Sequence, residues 1–130
     1  MTEIIWLDAR GAIEQWRQAF ETRSLDTLAQ RYTHEPSLVV VLDGNLWQGW
    51  PTVEPMLRAR LARASDIKVR LRELDVVSLG PDAASAVALM TREATSDATT
   101  ITENGVVTLV LRRTSAGWVI VAEHYSYKRP

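Results

Sequence analysis

Apolar residues recur at helical spacing through the first part of the chain and at strand spacing through the second half. Ile5, Ala9, Ala12, Ile13, Trp16 and Phe20 fall on one face of a helix, which predicts a first amphipathic helix that Gly11 weakens slightly. A break follows at Thr22-Arg23-Ser24, where the Ser24 hydroxyl can accept from an otherwise unpaired amide of the next turn. Leu25, Leu28, Ala29 and Tyr32 then form the buried stripe of a short second helix, stopped by Pro36. Leu38-Val39-Val40-Val41-Leu42 is a short apolar strand closed by the turn pair Asp43-Gly44. A loop with Trp47 and Trp50 leads to a third helix that begins between Pro51 and Pro55. Thr52 is its expected cap, and Val53, Met56, Leu57, Leu61 and Ala64 form its apolar face.

Four strands follow. Ile67, Val69 and Leu71 alternate with Lys68, Arg70 and Arg72, and the apolar parity then switches to Leu74 and Val76. A switch by one residue predicts a bulge or sharp bend, which curves a sheet. Gly80-Pro81-Asp82 is a turn, Ala84 to Thr95 the next strand, and Val106 to Arg113 the third, after a connection near Glu103-Asn104-Gly105. Ser115-Ala116-Gly117 turns into a last strand from Trp118 to Tyr127. Helices first and strands after predict an α+β domain over residues 1–130, a curved antiparallel sheet packed against three N-terminal helices. Val87-Ala88-Leu89-Met90 and the segment from Val106 to Leu111, Thr108 apart, are apolar on both strand faces. One face meets the helices. The other is expected to be an interface, and a homodimer through the outer sheet face is predicted.

Composition removes several function classes. The net charge is −1, from 15 basic and 16 acidic residues, so nothing global attracts nucleic acid or an anionic membrane. The absence of cysteine excludes disulfides, thiolate nucleophiles and thiolate metal sites. The segment Met1 to Arg10 carries Glu3 and Asp8 and has no basic stretch before an apolar run, so it does not read as a secretory signal. No uncharged apolar stretch is long enough to span a bilayer, and a cytoplasmic setting is expected. Histidines occur only at His34 and His124, without ligand-like spacing, so no metal is expected. No Gly-rich phosphate loop or serine nucleophile motif is present, and no cofactor is expected.

Three segments carry a family resemblance. Ser24-Leu25-Asp26-Thr27-Leu28-Ala29-Gln30-Arg31-Tyr32 resembles the second helix of the nuclear transport factor 2-like superfamily. Gln48-Gly49-Trp50 resembles its glycine before helix three. Gly117-Trp118-Val119-Ile120-Val121-Ala122-Glu123-His124-Tyr125-Ser126 resembles the closing strand of its SnoaL-like and kinase-association-like branches. The resemblance implies a cone-shaped domain of the cystatin-like or SnoaL-like kind, with a pocket between the helices and the concave sheet face, and homodimers as the usual assembly. It also places the positions of the ketosteroid isomerases of this fold. That mechanism needs a carboxylate base with a tyrosine and a protonated aspartic acid as oxyanion donors. The matching positions here are Trp16, Val40 and Leu109, none of which carries the needed group.

The last strand has two faces, one with Trp118, Ile120, Ala122, His124 and Ser126 and the other with Val119, Val121, Glu123, Tyr125 and Tyr127. The resemblance points the first into the pocket. His124 is then the candidate catalytic residue, since an imidazole titrates near neutral pH, and Ser126 would orient a ligand or water. Arg92, on the face of its strand with Ala84, Ala86, Ala88 and Met90, is a candidate inward arginine; Glu93 belongs to the opposite face, and turn chemistry accounts for Asp43. Five Trp against one Phe supply flat walls, and Trp16, Tyr32, Trp47, Trp50 and Trp118 are the candidate lining. Core packing competes as an explanation for each aromatic, and a satisfied buried side chain competes for His124. The expected function is a pocket that binds a small apolar or aromatic molecule, with cofactor-free lyase or isomerase chemistry as its catalytic form. The alternative is a non-catalytic association module.

Overall fold

A computed structural model describes residues 2–128, and side chains from residue 8 onward. Helix α1 spans Thr2–Glu21 and buries Ala9, Ala12, Ile13, Trp16, Ala19 and Phe20, the predicted stripe; the Ile5 side chain lies outside the described residues. Helix α2, Leu25–Arg31, starts at Ser24, whose Oγ accepts from the Thr27 amide at 3.2 Å. Strand β1, Val39–Leu42, turns through Asp43 and Gly44, both at positive φ, into strand β2, Asn45–Gln48. The segment expected to be a loop with Trp47 is therefore the second arm of a hairpin. Helix α3, Trp50–Arg63, is entered from Gly49 at φ 81°, not capped by Thr52, because the chain leaving β2 must reverse in a conformation that glycine adopts without strain. Trp50 is thus its first residue.

Strands β3, Asp66–Ser78, β4, Ala83–Ser96, β5, Thr99–Thr114, and β6, Gly117–Lys128, complete one six-stranded sheet in the order β2-β1-β6-β5-β4-β3. All neighbours are antiparallel except β1 with β6. The register of β3 shifts between Arg72 and Asp75, the bulge that the parity switch predicts, with Glu73 at φ 54°. Strand β5 is longer than its sequence suggests. The turn falls at Asp97 and Ala98, both at positive φ, and Glu103-Asn104-Gly105 lies within the strand. Gly105 reads as a turn residue but serves a close approach: a Cβ there would stand 1.9 Å from the Ser126 carbonyl oxygen of β6.

The concave face packs on the helices through Ala84, Ala86, Ala88 and Met90 of β4, and Val107, Leu109 and Leu111 of β5. No helix among the described residues is long and apolar enough to cross a membrane.

Candidate functional site

A second bulge decides what β6 presents to the interior. Leu111 pairs with Ile120 and Val110 with Ala122, so Val121 is an extra residue on β6 and the parity of the strand flips there. Trp118 and Ile120 point inward before the bulge. After it, Glu123, Tyr125 and Tyr127 do, opposite Leu109, Val107 and Gly105. His124 and Ser126 lie on the outer face and are exposed, beside Thr108 and Val106. The expectation that His124 and Ser126 enter the pocket is corrected, because strict alternation holds only in a strand without an extra residue.

The group that enters instead is a carboxyl. Glu123 is 5% exposed and accepts a 2.5 Å hydrogen bond from the Tyr32 hydroxyl, which in turn accepts from the Trp16 indole Nε1 at 2.8 Å. Three elements build this chain. Trp16 stands on the buried face of α1. Tyr32 ends α2 in extended backbone, held against β6 by a bridge to Ile120 and by the Thr33 amide donating to the Ile120 carbonyl at 2.9 Å. Glu123 is flanked in register by Val40 of β1 and Leu109 of β5, both buried. The three positions the isomerase resemblance singled out, Trp16, Val40 and Leu109, thus gather around one acid that comes from a fourth position.

Burial raises the Glu123 carboxyl above the usual glutamate range, against the Tyr32 hydrogen bond and the fields of Arg60 and Arg92, which lower it. Burial, and then the neighbouring Glu123, raise the Tyr32 phenol well above its ordinary value. In both groups burial favours the protonated form. The pair forms a proton-bearing dyad in a dry, aromatic surrounding.

A chamber of about 260 Å³ opens between the C-terminal ends of α1 and α3 and the edges of β3, β4 and β5. Its polar wall is Arg60, Arg92 and Glu103, with Arg63, Ser96 and Thr99 exposed at the rim, and its apolar wall includes Phe20, Leu61, Ile67 and Ala94. Arg92 forms a largely buried ion pair with Glu103, the two standing opposite each other on β4 and β5. The Arg92 guanidinium lies 5.8 Å from the centroid of the Tyr125 ring. The Tyr125 hydroxyl is within hydrogen-bonding distance of the Met90 and Glu103 carbonyls, at 3.3 and 3.2 Å, and burial pushes it up to about 12. Arg60, half-buried on the inward stripe of α3, is lowered by burial and then by Arg92. Hollows of about 440 and 470 Å³ also flank α1, and neither borders Arg60, Arg92 or Glu103.

Of the expected lining, Trp16 and Tyr32 are buried in the dyad, and Arg92 is inward at the chamber. Trp118 is buried, its indole Nε1 without a partner among the described residues. Trp47 is half-buried opposite Val40. Trp50 stacks on His34 with ring centroids 4.4 Å apart and stands 6.1 Å from the Tyr32 ring, so it backs the tyrosine. His34 is exposed and bonds the Ala29 carbonyl through Nε2 at 2.8 Å, as a helix-end residue should. Glu123, Glu103 and Arg60 were not anticipated. Two of them left a signal: Glu123 is the lone acid among Val119, Val121, Tyr125 and Tyr127, and Arg60 follows Val53 and Leu57 at helical spacing. Among the described residues no three His, Asp or Glu side chains gather into a metal-holding group.

Solved structures share this arrangement of elements. A proposed dehydratase of the NTF2-like family from Streptomyces avermitilis is similar over 98% of this chain and 99% of its own, with a TM-score of 0.87 at 18% identity. A proposed scytalone dehydratase from Novosphingobium aromaticivorans is similar over 96% of this chain and 85% of its own, with a TM-score of 0.87 at 7% identity. An NTF2-like superfamily protein from Salmonella enterica serovar Typhimurium is similar over 90% and 86%, with a TM-score of 0.81 at 17% identity. At such identities the likeness is one of fold. No curated protein matches the chain in sequence. The profile of the SnoaL-like domain matches residues 9–130, and the chain therefore belongs to the SnoaL-like domain family.

Proposed function

We propose that the protein binds a small molecule in the chamber at the mouth of its cone and moves a proton on it through Glu123, as a cofactor-free lyase or isomerase does. The observation that carries this reading is the Glu123 carboxyl, buried, raised by desolvation, and bonded to a buried tyrosine that is itself bonded to Trp16. A buried carboxyl raised by desolvation is suited to general acid–base work, and acids perturbed in this way gather at functional sites. A ligand in the chamber meets Arg60, Arg92 and Glu103 directly, and both arginines act on the Glu123 carboxyl through their fields. Trp16, Tyr32 and Trp50 support the acid from behind. Two structural neighbours are proposed dehydratases, and the removal of water calls for a group that gives or takes a proton.

The test is a carbon-13 NMR titration of the Glu123 carboxyl, assigned by its loss in Glu123→Gln, with a small-molecule library screened on the Trp16 indole signal. The expected midpoint lies above the ordinary glutamate value of about 4.3, and binders move the Trp16 signal. A midpoint at or below that value would refute the reading. So would a library whose binders perturb only residues outside the cone.

The second reading, an association module, is favoured by the outer sheet face. Val77, Val87 and Val106 are 49%, 42% and 43% exposed there, on adjacent strands around Thr108 and His124. A contiguous apolar face of this kind marks an interface, and homodimerisation through it is part of the proposal. It is compatible with a pocket on the concave side.

A further inference from the structure

We propose that the chamber selects a small organic acid, a monocarboxylate with an apolar or aromatic body, and that Arg60 is the residue that holds its carboxylate. This inference rests on the reading of the chamber as a ligand site and names the ligand's chemical class.

The argument is one of charge matching. Arg92 is matched within the protein by Glu103, with side chains only 13% and 5% exposed. Glu123 does not line the chamber and is engaged by the Tyr32 hydroxyl. Arg60 lines the same chamber, half-buried, and feels the Glu103 carboxylate, which is in direct contact with Arg92, only through space. A guanidinium withdrawn from water beside a second guanidinium is costly unless an anion answers it. Arg60, Arg63 and Arg92 line the chamber against the single acid Glu103, and of the two arginines outside the Arg92–Glu103 pair Arg63 is exposed while Arg60 is half-buried, so the complementary ligand is an anion that answers Arg60. A carboxylate fits the planar fork of an arginine through two parallel N–H···O bonds.

The remaining walls define the rest of the molecule. Phe20, Leu61, Ile67 and Ala94 present apolar surface beside Arg60. The volume, about 260 Å³, is at the small end for ligand pockets and suits a compact body. An acid anchored at Arg60 also neutralises a charge that lowers the Glu123 carboxyl, so a bound ligand strengthens the hold of Glu123 on its proton.

The experiment compares benzoate and hexanoate with the neutral isosteres benzamide and hexanamide, by calorimetric titration and by NMR shifts at Trp16, Ile67 and Ala94. The expected result is binding of the acids tighter than of their amides by about tenfold to a hundredfold, the effect of one charge-assisted bidentate contact. In Arg60→Gln the acids should fall to the level of the amides. Arg70→Gln, which removes an exposed arginine of β3 outside the chamber, should keep the preference. Equal affinity of acids and amides in the unaltered protein overturns the proposal without reference to any variant, and so does a preference that survives Arg60→Gln. If amides and acids both move the chamber signals without preference, the anionic subsite falls and the ligand chamber stands. If neither class moves them, both fall.

Discussion

Glu123 shows how much one side chain's environment determines. The same residue on the outer face would be an ordinary solvated carboxylate. Between Val40 and Leu109 it is short of water, and it accepts a hydrogen bond from the Tyr32 hydroxyl. The linkage to stability has a definite sign. A carboxyl whose folded value is raised keeps its proton in the native state at pH values where the unfolded chain has released it. Stability is therefore full below the ordinary glutamate value and falls as pH rises through the raised one, with a slope approaching about 1.4 kcal/mol per pH unit. Glu123→Gln should remove that slope. Denaturant unfolding of both proteins across the acidic to neutral range measures it, and the difference between the two curves isolates Glu123 from the other acids. Parallel curves would mean that the carboxyl is not raised.

At the scale of elements, the site depends on two bulges and one close approach. The extra residue Val121 turns Glu123 inward, the irregularity at Arg72/Asp75 bends β3, and Gly105 lets β5 and β6 close on each other. Two glycine substitutions separate these demands. At Gly105 a methyl group would collide with the Ser126 carbonyl and the Tyr127 backbone, so Gly105→Ala should destabilise by about 1–3 kcal/mol, toward the upper end. At Gly11, in α1, nothing lies within 4 Å of the added atom, and Gly11→Ala should stabilise by about 0.5–1 kcal/mol. Thermal or denaturant unfolding of the two variants checks both; equal effects would contradict the close approach at Gly105.

At the scale of the whole molecule, the sheet has two faces with separate tasks. The concave face holds the dyad and the chamber, and the convex face carries Val77, Val87 and Val106 with His124 and Ser126 among them. The proposed homodimer uses the convex face and leaves the concave one open. Light scattering at micromolar concentration should give a dimer mass, and Val87→Lys with Val106→Lys should give a monomer with an unchanged far-ultraviolet spectrum. A monomeric mass for the unaltered protein would end the dimer proposal and leave the pocket untouched.

The α+β architecture, the stripe of α1, the Ser24 cap and the bulge of β3 were all legible in the chain, because they rest on periodicity and on bonds between near neighbours. So was the loss of the isomerase groups at Trp16, Val40 and Leu109. The hairpin arm Asn45–Gln48 was hidden because its own pattern is weak and its partner β1 supplies the pairing. The face of His124 was misjudged for a related reason. Whether Val121 is an ordinary strand residue or an extra one depends on the register between β6 and β5, a contact between distant segments that no local pattern records. Composition and periodicity determined the container. The tertiary register decided which titratable side chain stands inside it, because the parity of a strand is absolute only once its neighbour has counted the residues.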